Sequence, residues 1–120
     1  MLFQNLLFYF ISEPPGPPIN PRVTDMLHDR CALSWQPPAS NGGAEVTGYQ
    51  IERRLASSSR WVSACKQTIT DLQTTVCDLV ESNEYEFRVI AENKIGQGQP
   101  SEATQPQMCK DPWGELMSPN

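Results

Sequence analysis

Residues able to do chemistry are few in this 120-residue chain: four cysteines, at 31, 65, 77 and 109, and one histidine, His28. A zinc site draws closely spaced Cys and His ligands, and no Cys-x-x-Cys pair occurs here, so no metal-ligating set is expected. Gly-x-Ser-x-Gly, Gly-x-x-x-x-Gly-Lys-Ser/Thr and His-Glu-x-x-His are all missing. Gly42-Gly43 and Gly96-x-Gly98 open no helix that would receive a phosphate, and read as loop glycines. Glu52, Glu86 and Glu92 fall on outward positions of alternating segments, where carboxylates are solvated rather than tuned. The chain is expected to be no enzyme, with no catalytic residue and no cofactor.

Charge narrows the partners. The formal net charge is −5 and the pI near 4.7, which excludes nucleic acid and anionic membrane as main partners, since both require a basic patch. The nearest approach to one is Arg53 and Arg54 with Arg60 and Arg88, read as a solvated face. An even cysteine count also fits disulfides in a secreted chain. No Asn-x-Ser/Thr sequon accompanies it, so reduced thiols are the expectation. Residues 1–13 begin with an apolar run broken only by Gln4 and Asn5. That run is too short to span a bilayer and lacks the basic region and cleavage site of a signal peptide. It is expected to be a tail outside the fold.

Eleven prolines and seven glycines divide the chain into short elements. Residues 14–20 read as a stiff polyproline-type lead-in, because successive prolines fix φ and remove donors. Beyond them the apolar period is two. Pro21 to Leu27 reads as an edge strand with Val23 inward. In the next segment Cys31, Leu33 and Trp35 alternate with Ala32, Ser34 and Gln36 until Pro37-Pro38 ends it. Val46 to Arg54 places Tyr49 and Ile51 inward, and Trp61 to Ala64 is a short strand. Thr74 to Leu79 is followed by a loop. Tyr85, Phe87, Val89 and Ala91 then alternate with Glu86, Arg88, Ile90 and Glu92; a helix there would bury a charge. Pro100 to Met108 reads as a last edge strand of poor pattern. Seven short strands with turns about every ten residues predict an all-β antiparallel sandwich of two sheets.

Several motifs, in order, resemble the fibronectin type III family from Pro14 to Pro112. They are Pro14-Pro15-Gly16-Pro17-Pro18, Leu33-Ser34-Trp35-Gln36-Pro37-Pro38, Asn41-Gly42-Gly43 and Gly48-Tyr49-Gln50-Ile51-Glu52-Arg53-Arg54. Leu79 with Tyr85-Glu86-Phe87-Arg88-Val89-Ile90-Ala91-Glu92-Asn93, Gly96-x-Gly98 and Pro100-Ser101-Glu102 complete the set. The resemblance implies a seven-stranded immunoglobulin-like sandwich over residues 21–109, with residues 110–120 as an exit linker. Its core would include Trp35, Tyr49, Leu79, Tyr85 and Val89. Tyr85, six residues after Leu79, resembles a tyrosine corner, whose hydroxyl would donate to a backbone carbonyl between Leu79 and Glu84. An immunoglobulin domain proper would need a cysteine between Tyr85 and Ala91; none is there, so Cys31 reads as a small apolar core residue.

The lead-in, the Gly48–Arg54 strand and the exit Lys110-Asp111-Pro112-Trp113 resemble the intracellular muscle modules of titin and myosin-binding protein C. That likeness implies a cytoplasmic, sarcomeric, non-catalytic module of a larger protein. Its partners would be adjacent immunoglobulin-like or fibronectin type III domains and filament proteins such as myosin. An extracellular adhesion or receptor module is the alternative. The run after Trp113 departs from the usual lead-in to a next module, as expected of a fragment or short isoform. Partner contact is placed at Trp61, Arg88 and an exposed Ile90.

Overall fold

The computed structural model describes residues 11–113, so most of the apolar tail and the end of the exit linker lie outside the described residues. Seven strands run in chain order: β1 (Ile19–Met26), β2 (Cys31–Gln36), β3 (Gly48–Leu55), β4 (Val62–Ser63), β5 (Gln73–Val76), β6 (Glu84–Glu92) and β7 (Gln107–Met108). They form two antiparallel sheets, ordered β1-β2-β5 and β4-β3-β6-β7.

A strand exposes alternate side chains on opposite faces, so each sheet has one apolar face to bury, and facing sheets bury both. The core takes Cys31, Leu33 and Trp35 from β2, Val76 from β5, Tyr49 and Ile51 from β3, and Tyr85, Phe87, Val89 and Ala91 from β6. Leu79 and Cys109 complete it from outside the strands. Trp35 meets Tyr49 edge-to-face with centroids 5.4 Å apart, a geometry that adds about 0.5–1.5 kcal/mol to the burial itself. Burial pushes the Cys31 thiol up to about 12, with Cys109, Cys65 and Cys77 adding smaller effects. Cys31 therefore sits in the core as a small protonated hydrophobe.

The last strand is shorter than its sequence promised. Pro100 and Pro106 have no N–H, and between them the chain climbs three residues for every two along β6. Gly98, Ser101 and Thr104 donate their N–H groups to the carbonyls of Ala91, Val89 and Phe87. The N–H groups of Val89 and Phe87 are taken by the hydroxyls of Ser101 and Thr104, at 2.9 and 3.0 Å. Two buried hydroxyls thus replace the ladder bonds that a regular strand would have made, and pairing becomes regular only at Gln107–Met108.

The proline lead-in is fastened to the sandwich. Glu13 N–H donates to Gly42 O and Gly16 N–H to Ser40 O, both at 2.9 Å, and Pro15 and Pro18 are buried. Asn93, 6 % exposed, donates from its amide to the carbonyls of Glu13 and Asn41, each at 2.8 Å. Two glycines make room. A Cβ on Gly98 would collide with the Pro15 carbonyl oxygen, and one on Gly42, whose φ is +78°, with that of Glu13.

Candidate protein-docking face

The outer face of the four-stranded sheet is set by register. β3 and β6 pair so that Glu52 lies opposite Arg88 and Arg54 opposite Glu86, and opposite charges facing across strands stabilise a sheet. Arg88 Nε donates to Glu52 Oε1 at 2.7 Å. Arg54 binds Glu86 Oε1 through Nε at 2.8 Å and Nη2 at 2.7 Å. Trp61 enters this array from the residue before β4. Its ring lies 4.6 Å from the Arg54 guanidinium carbon and 4.4 Å from that of Arg88. The order across the face is Glu86, Arg54, Trp61, Arg88, Glu52. Each cation–π contact contributes about 0.5–1 kcal/mol at an exposed site and more when water is excluded.

Two residues expected at the partner contact, Trp61 and Arg88, are brought together here. The third is not: Ile90 is buried, at 8 % exposure, and offers no exposed anchor. It holds an outward register position opposite Gln50, so alternation alone assigned it to solvent. Glu52 and Glu86 are not simply solvated either, since both are half-buried and ion-paired. Of the four arginines read as a solvated face, Arg53, Arg54 and Arg88 are held by contacts, and Arg60 is exposed. Arg54 and Glu86 were not legible as parts of the array, because β3 and β6 are some thirty residues apart and only their register joins them.

The remaining sequence-derived positions are structural. Trp35, Tyr49, Leu79, Tyr85 and Val89 all lie in the core cluster. Tyr85 makes its corner with the polarity reversed. Val80 N–H donates to the Tyr85 hydroxyl at 2.9 Å, whereas the hydroxyl was expected to donate to a carbonyl. The Val80 carbonyl already accepts from Asn83 N–H, and Leu79 N–H is taken by Asp29 O. Val80 N–H, which has no backbone acceptor among the described residues, donates to the hydroxyl instead. Arg53 covers the same ring at 5.5 Å and donates from Nη1 to Asp78 O at 3.1 Å.

No group of three or more Cys, His, Asp or Glu side chains able to hold a metal occurs among the described residues. No helix of the described residues is long and apolar enough to cross a membrane.

Residues 14–107 match the fibronectin type III domain profile. Fruit-fly (Drosophila melanogaster) titin is 42 % identical over 88 residues, 73 % of this chain and a share of titin that rounds to 0 %. Mouse (Mus musculus) cardiac-type myosin-binding protein C is 35 % identical over 105 residues, 88 % of this chain and 8 % of its own length. Among solved structures, the crystal structure of titin domains A168-A170 superposes with a TM-score of 0.80 at 36 % identity, covering 83 % of this chain and 34 % of that one. The twitchin kinase region from C. elegans gives a TM-score of 0.78 at 39 % identity, covering 83 % of this chain and 17 % of that region. The chain thus spans a small fraction of the multidomain proteins it resembles. On the profile match, the shared fold and these identities, the chain belongs to the fibronectin type III family.

Proposed function

We propose that the chain is a non-catalytic structural and protein-interaction module of a larger sarcomeric protein in the cytoplasm. It spaces neighbouring immunoglobulin-like or fibronectin type III domains and docks a filament partner. The observation that carries the reading is the placement of its two ends. The lead-in is tied to the loops beyond Gln36 and Glu92, and the segment leaving after Cys109 is tied to the β1–β2 and β5–β6 connections. Between them lies the nine-residue β6, about 30 Å of strand at ~3.3 Å per residue. A unit whose lead-in and exit segments are fixed at opposite poles inserts a rigid spacer into a tandem array.

Docking is assigned to the array around Trp61. Aromatic and arginine side chains are the residue types that dominate interface energies, and here they are held in place before any partner arrives. The relatives named for binding myosin make the thick filament the partner to test first. In co-sedimentation with reconstituted myosin filaments, the chain should bind saturably and Trp61→Ala should abolish binding while remaining folded by circular dichroism. Equal binding by the variant, or none by the parent, sinks the docking assignment.

A further inference from the structure

We infer that the end of the β3–β4 hairpin is a binding site for an acidic protein segment, a proposal that rests on the docking reading above and names the partner's chemistry. A groove of about 260 Å³ runs along the hairpin beside the Trp61 array, lined by Arg53, Arg54, Ser58, Arg60 and Asn83 and by the aliphatic Leu55 and Val62. No carboxylate lines it. In a chain of net charge −5 with nine lysines and arginines, three arginines converge on this one groove.

Their donors are unevenly used. The Arg60 side chain is exposed and makes no hydrogen bond or ion pair among the described residues; only its backbone N–H is engaged, donating to Ser58 Oγ at 3.0 Å. Arg54 commits Nε and Nη2 to Glu86, leaving Nη1. Arg53 commits Nη1 to Asp78 O, leaving the rest of its fork. Ser58 Oγ accepts from Arg60 and keeps its own hydrogen to donate. A guanidinium presents its donors in a planar fork that matches a carboxylate, and two of these forks are already fixed by strand and aromatic contacts. Leu55 and Val62, 40 % and 39 % exposed, supply apolar walls for the stems of glutamate side chains. Charge complementarity therefore commits the groove to an Asp- or Glu-rich stretch of another protein.

The probe is a fluorescein-labelled ten-residue oligoglutamate, titrated into the full chain at low salt and followed by anisotropy and by amide NMR. Shifts should gather on residues 53–62 and at the Trp61 indole. Arg60→Glu, which breaks no side-chain contact, should weaken binding about tenfold or more, because charge reversal sets carboxylate against carboxylate. Arg22→Glu, on the distant β1 edge, should leave affinity within about twofold, the change expected where no close charge pair is lost. Unchanged binding by Arg60→Glu, or equal losses from both variants, overturns the site. So does tighter binding to a single-stranded RNA or to phosphatidylserine vesicles than to the peptide. Self-association of the chain that Arg60→Glu abolishes would make a second copy the occupant and also overturn it. Trp61→Ala in the filament assay and Arg60→Glu in the peptide assay fail independently, which separates the docking reading from its ligand class.

Discussion

The two poles of the sandwich hold the chain by different chemistry. At the N-terminal pole every clamp is neutral: backbone bonds from Glu13 and Gly16, the Asn93 amide between two carbonyls, and glycines that let backbone lie against backbone. At the C-terminal pole neutral backbone bonds join Ser82 to Cys109 and Cys109 to Asn83, and one contact that titrates is added to them. Asp111 accepts from the His28 backbone N–H at 2.9 Å and lies 3.0 Å from the ring Nδ1, while Asp29 lies 3.7 Å from Nε2. The buried Cys109 thiol lies 3.2 and 3.1 Å from the carbonyls of Leu27 and His28, and burial raises its pKa. The lead-in is therefore fastened independently of pH, whereas the departing segment adds a pH-dependent contact, His28 with Asp111, to its neutral backbone bonds. Neutral bonds in a buried setting are costly to orphan, whereas an exposed ion pair is screened by water and contributes little.

The largest effect should come from the neutral pole. Asn93→Ala leaves the Glu13 and Asn41 carbonyls without their donor and removes the side-chain acceptor of Ile95 N–H, while Gly96 N–H keeps the Asn93 backbone carbonyl. A loss of about 2–3 kcal/mol is expected, since an orphaned buried group costs ~1–3 kcal/mol. Denaturant unfolding should show the same deficit at about pH 5.5 and pH 8, because nothing in the clamp titrates between them. A deficit that changes with pH would erase the contrast between the poles.

Tyr85→Phe tests a neutral clamp near the C-terminal pole. The ring stays and Val80 N–H loses its acceptor, so about 1–2 kcal/mol is expected, the lower part of the range for a single orphaned donor. Stability equal to the parent within about 0.3 kcal/mol, inside the ±0.5 kcal/mol spread of ordinary surface substitutions, would show that water replaces the hydroxyl.

The smallest effect belongs to Asp111→Asn, and its signature is pH. Hydrogen bonding to Asp111, then the charges of Asp111 and Asp29, raise His28 above 6.5; the bond to His28 lowers Asp111 below 3.8. A raised histidine stabilises fully below its unfolded value and loses that contribution as pH rises through the folded one. A lowered carboxylate stabilises above its unfolded value and loses that as pH falls through the folded one. Both contributions hold between roughly pH 4 and 6.5. The Tm difference between parent and Asp111→Asn should be greatest near pH 5.5 and shrink toward pH 8; a difference independent of pH rules the latch out.

Alternation along the chain was enough to determine the sandwich. A period of two in Cys31–Trp35 and Tyr85–Ala91, ended by Pro37-Pro38 and by Asn93, fixes which residues face inward whatever the partner strands are, because pleating is a local property. The core tryptophan and tyrosines followed from that; the family came from the resemblance of the ordered motifs from Pro14 to Pro112. Three features did not. The Arg54–Trp61–Arg88 array needs the β3–β6 register, which is set by sheet assembly across distant segments. Ile90 is buried on the side that alternation gives to solvent, and its neighbours there are not sequence neighbours. Pairing along Gly98–Thr104 depends on prolines displacing the ladder and on two hydroxyls restoring it. Local periodicity decides faces; register, covering and hydrogen-bond substitution are decided only when the two sheets meet.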